Sequence, residues 1–388
     1  MKTIFAQLKE LSDPNIDRIP DMLSPAYLPS LDGLRAISIF FVLAGHFLFN
    51  GYWYRYVSGS AGVYIFFAIS GFLITTLLLK EKVTTGGISL KRFYVRRALR
   101  ILPVAYLFLL ILVLLNHLFD LHIGTIDFLM SFFYVKNLPV LHGGSWQTVH
   151  FWSLAVEEQF YLFFPFLLTY NFKWYVRLLI LLLLTTPVAN VLFYDGGGFI
   201  TGTPKVILGV IVGLFGRGTD SILFGSLCAI LAFKGMLPLR SLARLKFLAP
   251  ALILVIALGL VSFAIPGWQV FWLYATPPAC SALVLLSLQP GGWFFALLNA
   301  RPMKWIGMLS YSLYIWQQLF THDQPWAGSF PLGRSVWLNM LMLVVVACVS
   351  YYGFEKKFNR LKDRFKTKSR PRMRTGHREN FSGQTAPV

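Results

Sequence analysis

Long apolar runs alternate along the chain with short polar, mostly basic, stretches. Apolar windows fall near 33–50, 61–79, 101–118, 150–170, 178–194, 219–233, 247–264, 270–288, 305–321 and 336–354. Runs such as Leu178–Tyr194 and Phe247–Ile265 match the roughly 17–25 residues that carry a helix across about 30 Å of hydrocarbon. Lipid offers the backbone no hydrogen-bond partner, so a run of this length has to be helical. The pattern predicts an all-α protein, a polytopic transmembrane helix bundle of about ten spans. Ile126–Val135 and Val206–Phe215 are too short to span, and are expected as interfacial or re-entrant helices on the outer side.

The 388 residues are 56% hydrophobic and only 13% charged, a composition foreign to soluble domains. Residues 1–30 contain Asp13, Pro14, Asn15, Asp17 and Pro20 and no apolar core of a secretion signal, so they read as a cytosolic lead-in. The membrane domain is expected over 31–354, followed by a basic cytosolic tail over 355–388, with no internal repeat and no second soluble domain. Cys228, Cys280 and Cys348 lie inside apolar runs without metal-ligand spacing, which predicts packing cysteines, no disulfide framework and no metal site.

A net charge of +19 raises the question of nucleic acid, but its distribution answers differently. With the N-terminus inside, all the lysines and arginines fall on cytosolic segments except Arg55, Lys136, Lys205, Arg217 and Arg334. That asymmetry follows the positive-inside rule and predicts both termini in the cytoplasm. The basic tail "KKFNRLKDRFKTKSRPRMR" suits anionic lipid headgroups. The bilayer, not nucleic acid, is the expected partner.

Three constellations place ionisable groups where oil is expected. In "LDGLRAISIFFVLAGHFLFN", Arg35 and His46 are eleven residues apart, three helical turns plus about 20°, so they share one face roughly 16 Å apart. Arg35 either flanks the span by snorkelling or takes part in function. A histidine deep in a span either donates a hydrogen bond to a neighbouring helix or serves transport or chemistry, since imidazole exchanges protons near neutral pH. In "VHFWSLAVEEQFYLFFP", His150, Ser153 and Glu157 share a face, whereas Glu157 and Glu158 diverge by about 100° and cannot serve one site equally. In "KRFYVRRALRILP", Arg97 and Arg100 share a face at a membrane boundary, where guanidinium forks suit phosphate and where the positive-inside rule also calls for charge. "FFAISGFLITTLL", with Ser70 and Gly71, and "GMLSYSLYIWQQLF", with Ser310, Tyr311, Tyr314, Trp316 and Gln317, read as helix-packing contacts.

In order along the chain, "LDGLRAISIFFVLAGH", "FFAISGFLITTLL", "FYVRRALRILP", "FWSLAVEEQFYLFFP", "RGTDSILFGSLCAIL" and "MLSYSLYIWQQ" resemble the acyltransferase-3 family of integral-membrane O-acyltransferases over about residues 28–354. The resemblance implies ten spans and transfer of an acyl group, commonly acetyl, from cytosolic acyl-CoA to a hydroxyl of a cell-surface or exported polysaccharide. It implies residence in the bacterial inner membrane, a carbohydrate or lipid-linked glycan acceptor and polysaccharide-biosynthesis partners. Arg35 and His46 match its essential pair, Arg97 and Arg100 an arginine pair suited to the phosphates of CoA, and Trp152, Ser153, Glu157 and Glu158 its carboxylate motif. Ser310, Tyr311 and Tyr314 match a late tyrosine motif, with His150 and Tyr311 as supporting residues.

On this reading His46 is the general base and Glu157 or Glu158 orients its ring. Two positions depart from the family pattern: Tyr64 replaces a common aspartate and Gln317 a common histidine. Some relatives carry a C-terminal extracytoplasmic esterase-like domain, and none is expected here, so that delivery falls to this chain or a separate partner. The alternatives are a lipid or sugar flippase using the buried ions as a proton relay, and a membrane scaffold.

Overall fold

A computed structural model describes residues 2–47, 59–138, 144–194, 201–216, 218–238, 244–261 and 269–365. Among these the structure is helical throughout, with no strand. The helices are α1 (Lys2–Leu11), α2 (Pro29–Phe47), α3 (Ser60–Thr85), α4 (Leu90–Phe119), α5 (Thr125–Phe132), α6 (Phe151–Tyr170), α7 (Phe172–Tyr194), α8 (Gly202–Phe215) and α9 (Thr219–Phe233). They continue with α10 (Ala249–Val261), α11 (Gln269–Ser287), α12 (Trp293–Leu298), α13 (Arg301–Trp316), α14 (Gln318–Thr321), α15 (Val336–Val349) and α16 (Lys356–Asp363).

Each of the ten apolar windows falls on a helix, although residues 48–50 and 262–264 of two windows lie outside the described chain. By length and composition alone, five helical runs qualify as spans: α2, α3, α4, α7 and Val336–Asp363. The count becomes six if α8 and α9, which meet at 45°, form one bent span. Ten is therefore not what length and apolarity establish. The physical reason is local: Glu157 and Glu158 lower the mean hydropathy of α6, and α13, at 16 residues, is too short to cross by itself.

Exposed apolar side chains mark the lipid face. Leu110, Val113, Leu114 and Leu118 on α4, and Leu341, Val345 and Val349 on α15, recur every three to four residues and point outward. A soluble protein rarely exposes such stripes, so the chain is an integral membrane protein.

The centre of the bundle is α3, which packs against α2, α9 and α11, while α13 packs against α2. Missing side chains permit this closeness. A Cβ on Gly71 would lie 1.8 Å from the Ile222 carbonyl oxygen of α9, and one on Gly307 would lie 1.9 Å from that of Asp32. Close approach of backbones through small residues is how helices associate in lipid. Gly71→Val should therefore lower the thermal midpoint of the purified protein, by about 1–3 kcal/mol of stability or more, where an exposed substitution such as Leu114→Val should not.

One end of the bundle is basic, and the N-terminal segment lies across it. Lys80, Lys82 and Lys234 donate to the carbonyls of Pro25, Pro14 and Asn15 at 2.8, 2.7 and 2.8 Å. Lys136, one of the lysines outside the basic segments, is buried in an ion pair with Asp127, which also accepts from Thr148 at 3.3 Å. Its charge is thus neutralised within the fold. The helical run of α15 passes through a π-turn (Ser350–Glu355) into α16, so helix continues across residue 354, where the sequence marks the end of the membrane domain.

Candidate active site

Five helices bring their polar stripes to one cleft of about 650 Å3, its open mouth included. Helical spacing explains who reaches it. Ser153, Glu157 and Tyr161 follow at i, i+4 and i+8 on α6; Arg97 and Arg100 come from α4, Ser70 from α3, Tyr311 and Tyr314 from α13, and Arg35 from α2. Glu157 accepts a hydrogen bond from Ser70 Oγ at 2.6 Å. Arg97 lies over the Tyr161 ring, its guanidinium carbon 3.8 Å from the ring centroid, a cation–π arrangement. Ser153 Oγ and the Tyr314 hydroxyl are 2.5 Å apart, and the Tyr311 hydroxyl donates to the Ile101 carbonyl at 2.8 Å.

The two glutamates separate as their 100° offset requires. Glu157 faces the cleft, whereas Glu158 does not line it and has Tyr106 and Tyr134 as electrostatic neighbours. His150 also stays out of the cleft. It precedes the first turn of α6, and its imidazole is buried against Phe108 and Tyr314, with ring centroids 5.3 and 5.8 Å away. Trp152 stands behind the wall, edge-on to Phe67 at 5.9 Å.

A second, wider cavity of about 1410 Å3, open to solvent, adjoins the cleft and shares Arg35, Arg100 and Tyr311 with it. Its lining includes the cations Arg35, Lys80, Arg100, Lys356, Arg360 and Lys362 against the carboxylates Asp32, Glu355 and Asp363. The start of the basic tail, read from sequence as a lipid anchor, thus forms a wall of this vestibule. Arg35 is fixed by Asp32 at 2.8 Å, and Asp32 also accepts from the Tyr27 hydroxyl at 2.5 Å. Glu355 accepts from Ser312, and from Ser350 at 3.3 Å, on the π-turn, a distortion that recurs at functional sites.

His46 lies beyond the cleft, toward the opposite end of α2. Its Nδ1 is 2.8 Å from Gln317 Oε1, and its ring meets Trp146 edge-on at 5.5 Å. Neither glutamate touches it, so the expected Glu–His pairing gives way to a Gln–His pairing. The sequence offset decides this: Glu157 follows the α6 stripe into the cleft, whereas Gln317 sits one turn beyond Tyr314 on the helix packed against α2. As assigned, the amide oxygen only accepts, so Nδ1 carries the hydrogen and Nε2 the lone pair. Gln317→Leu should remove this tautomer control and lower the turnover rate about tenfold. Gln317→Glu, which keeps an acceptor at Oε1, should retain more activity in the same assay.

Asp32 and Glu355 are the residues that sequence reasoning passed over, and the role of Gln317 as partner of His46 went unread. Asp32 was signalled by its i,i+3 spacing to Arg35, and Gln317 as a packing residue and a departure from the family pattern. Nothing local pointed to Glu355, whose partners come from α13 and the π-turn.

A lipid-facing helical bundle enclosing an arginine-lined polar cleft is the architecture of a membrane-embedded enzyme or carrier. The chain belongs to the acyltransferase-3 family: the acyltransferase domain matches residues 28–354. It is 31% identical over 366 residues to the putative peptidoglycan O-acetyltransferase YrhL of Bacillus subtilis, covering 85% of this chain and 54% of that protein. It is 28% identical over 362 residues to the O-acetyltransferase OatA of Staphylococcus aureus, covering 86% and 57%. With the peptidoglycan O-acetyltransferase OatA of Listeria monocytogenes it shares 29% over 320 residues, covering 76% and 49%. The chain spans about half the length of these curated relatives. No solved structure matches it.

Proposed function

We propose that the protein is a membrane O-acetyltransferase that takes an acetyl group from cytosolic acetyl-CoA and transfers it to a glycan hydroxyl of the cell envelope. The observation that carries the reading is the sharing of Arg35, Arg100 and Tyr311 by the two cavities. A basic vestibule thereby leads into the polar cleft, whose lining includes Tyr314, one turn from the partner of His46. The vestibule cations suit the phosphates of a CoA thioester. Ten crossings with both termini in the cytoplasm agree with the clustering of lysines and arginines at the vestibule end, which faces the cytosol of a bacterial inner membrane.

In this reading His46 Nε2 takes the proton of the acceptor hydroxyl, whose oxygen attacks the thioester carbonyl. The carbon–sulfur bond breaks, and the imidazolium returns a proton to the departing thiolate. Glu157, held by Ser70, balances the positive field of Arg97 in the cleft. The names of the relatives support a peptidoglycan-type acceptor.

The test uses the full chain in nanodiscs with acetyl-labelled acetyl-CoA and an oligosaccharide acceptor. Label is expected on the glycan, with release of free CoA. Movement of glycan across the bilayer with no acetyl-CoA consumed would instead identify a carrier.

A further inference from the structure

The surroundings of His46 hold buried polar atoms that the donor path does not use. Gln317 and Gln318 are 0% exposed and Thr321 is 6% exposed. Among the described residues, Gln317 Nε2, Gln318 Oε1, Thr321 Oγ1 and Trp146 Nε1 have no hydrogen-bond partner. Three of these residues are linked by contacts, and the fourth, Thr321, neighbours them along the helix. Gln317 holds His46, and the Trp146 ring lies edge-on to His46 and, at 4.8 Å, to His322. Gln318 Nε2 donates to the Trp146 carbonyl at 3.0 Å. Thr321 follows Gln317 and Gln318 by one helical turn.

Buried polar atoms are nearly always paired, because leaving one bare forfeits its hydration without return. Four bare atoms in one group mark a place where a ligand completes the bonding. Their chemistry describes that ligand. The Trp146 indole and the Gln317 amide donate, the Gln318 amide oxygen accepts, and the Thr321 hydroxyl does both. None carries a charge, in contrast to the vestibule at the other end of the path. Neutral donors and acceptors beside a flat indole fit a ligand rich in hydroxyls and free of charge.

We infer that Trp146, Gln317, Gln318 and Thr321 form the acceptor subsite, binding a neutral saccharide with one hydroxyl at Nε2 of His46. This rests on the acyl-transfer reading and adds to it the acceptor's place and charge class. The enzyme thereby keeps anionic donor and neutral acceptor at separate ends of one path, with His46 where they meet.

The test measures binding of chitopentaose to the full chain in nanodiscs by saturation-transfer NMR, without acetyl-CoA, and then Michaelis constants for both substrates. Wild type should bind the saccharide. Trp146→Phe and the nearly isosteric Thr321→Val should each weaken binding and raise the acceptor KM about 3- to 10-fold. The KM for acetyl-CoA should stay unchanged. No binding by wild type overturns the inference, as does binding that both variants leave unaltered, the result if ordered water alone meets these atoms. Saccharide binding with the expected losses but no acetyl-CoA turnover upholds the subsite and removes the acyl-transfer reading, so the two fail separately.

Discussion

His46→Gln should reduce acetyl transfer about 10²- to 10⁴-fold, the range that a positioned general base contributes, and leave the affinity for acetyl-CoA unchanged. The size of the effect follows from the absence of a substitute among the described residues. His150 is enclosed by Phe108, Phe151 and Tyr314, and His322 lies against Trp146. Glu157 is engaged by Ser70 in the cleft. His46 pairs one ring nitrogen with a fixed acceptor and leaves the other for a hydroxyl. The packing of α2 rests on buried Leu34, Ile39 and Val42 and on close backbone contact at Gly33, so removing a half-buried imidazole should leave the fold intact. Transfer of label from acetyl-CoA measures the first effect, and calorimetric titration with CoA the second. A variant that transfers at the wild-type rate would remove His46 from the chemistry.

Helical periodicity made much of this legible before any coordinates. The stripe Ser153–Glu157 follows from i,i+4 spacing, and the cleft contains both. The divergence of Glu157 and Glu158 follows from the same angle, and the structure shows which one faces the cleft. What the chain pattern withheld is everything decided between helices. Which helix lies beside α2 determines that His46 meets Gln317, 271 positions away, rather than a glutamate. The vestibule needs a π-turn and a basic helix from the far end of the chain, and a run such as "KKFNRLKD" looks the same whether it touches lipid headgroups or walls a cavity. Length and apolarity register fewer than ten spans for a related reason. The glutamates that equip α6 for the site are the residues that lower its hydropathy, so this helix stands out least as a membrane span.

Arg97 and Arg100, joined in sequence as a pair, should separate in their kinetics. Arg100 lines both cavities, with Arg35, Arg97, Asp32 and Glu355 as charged neighbours, and stands at the throat where an anionic donor must pass. Arg100→Gln should raise the KM for acetyl-CoA about 10- to 100-fold, the worth of one charge-assisted hydrogen bond, with a smaller change in kcat. Arg97 lines only the inner cleft, stacked on Tyr161 and within the field of Glu157. Its loss should strand the buried Glu157 charge without its strongest cationic partner, so Arg97→Gln should depress kcat more than donor binding. Double substitution with Glu157→Gln should recover part of that loss by removing the stranded charge. Raising the ionic strength should weaken donor binding in the wild type, because the vestibule is open to screening. The same salt should have less effect on Arg100→Gln, in which one of the cations has been removed. Equal KM and kcat effects at the two arginines would show that the throat does not divide binding from chemistry, and would place the phosphates of the donor deeper than the vestibule.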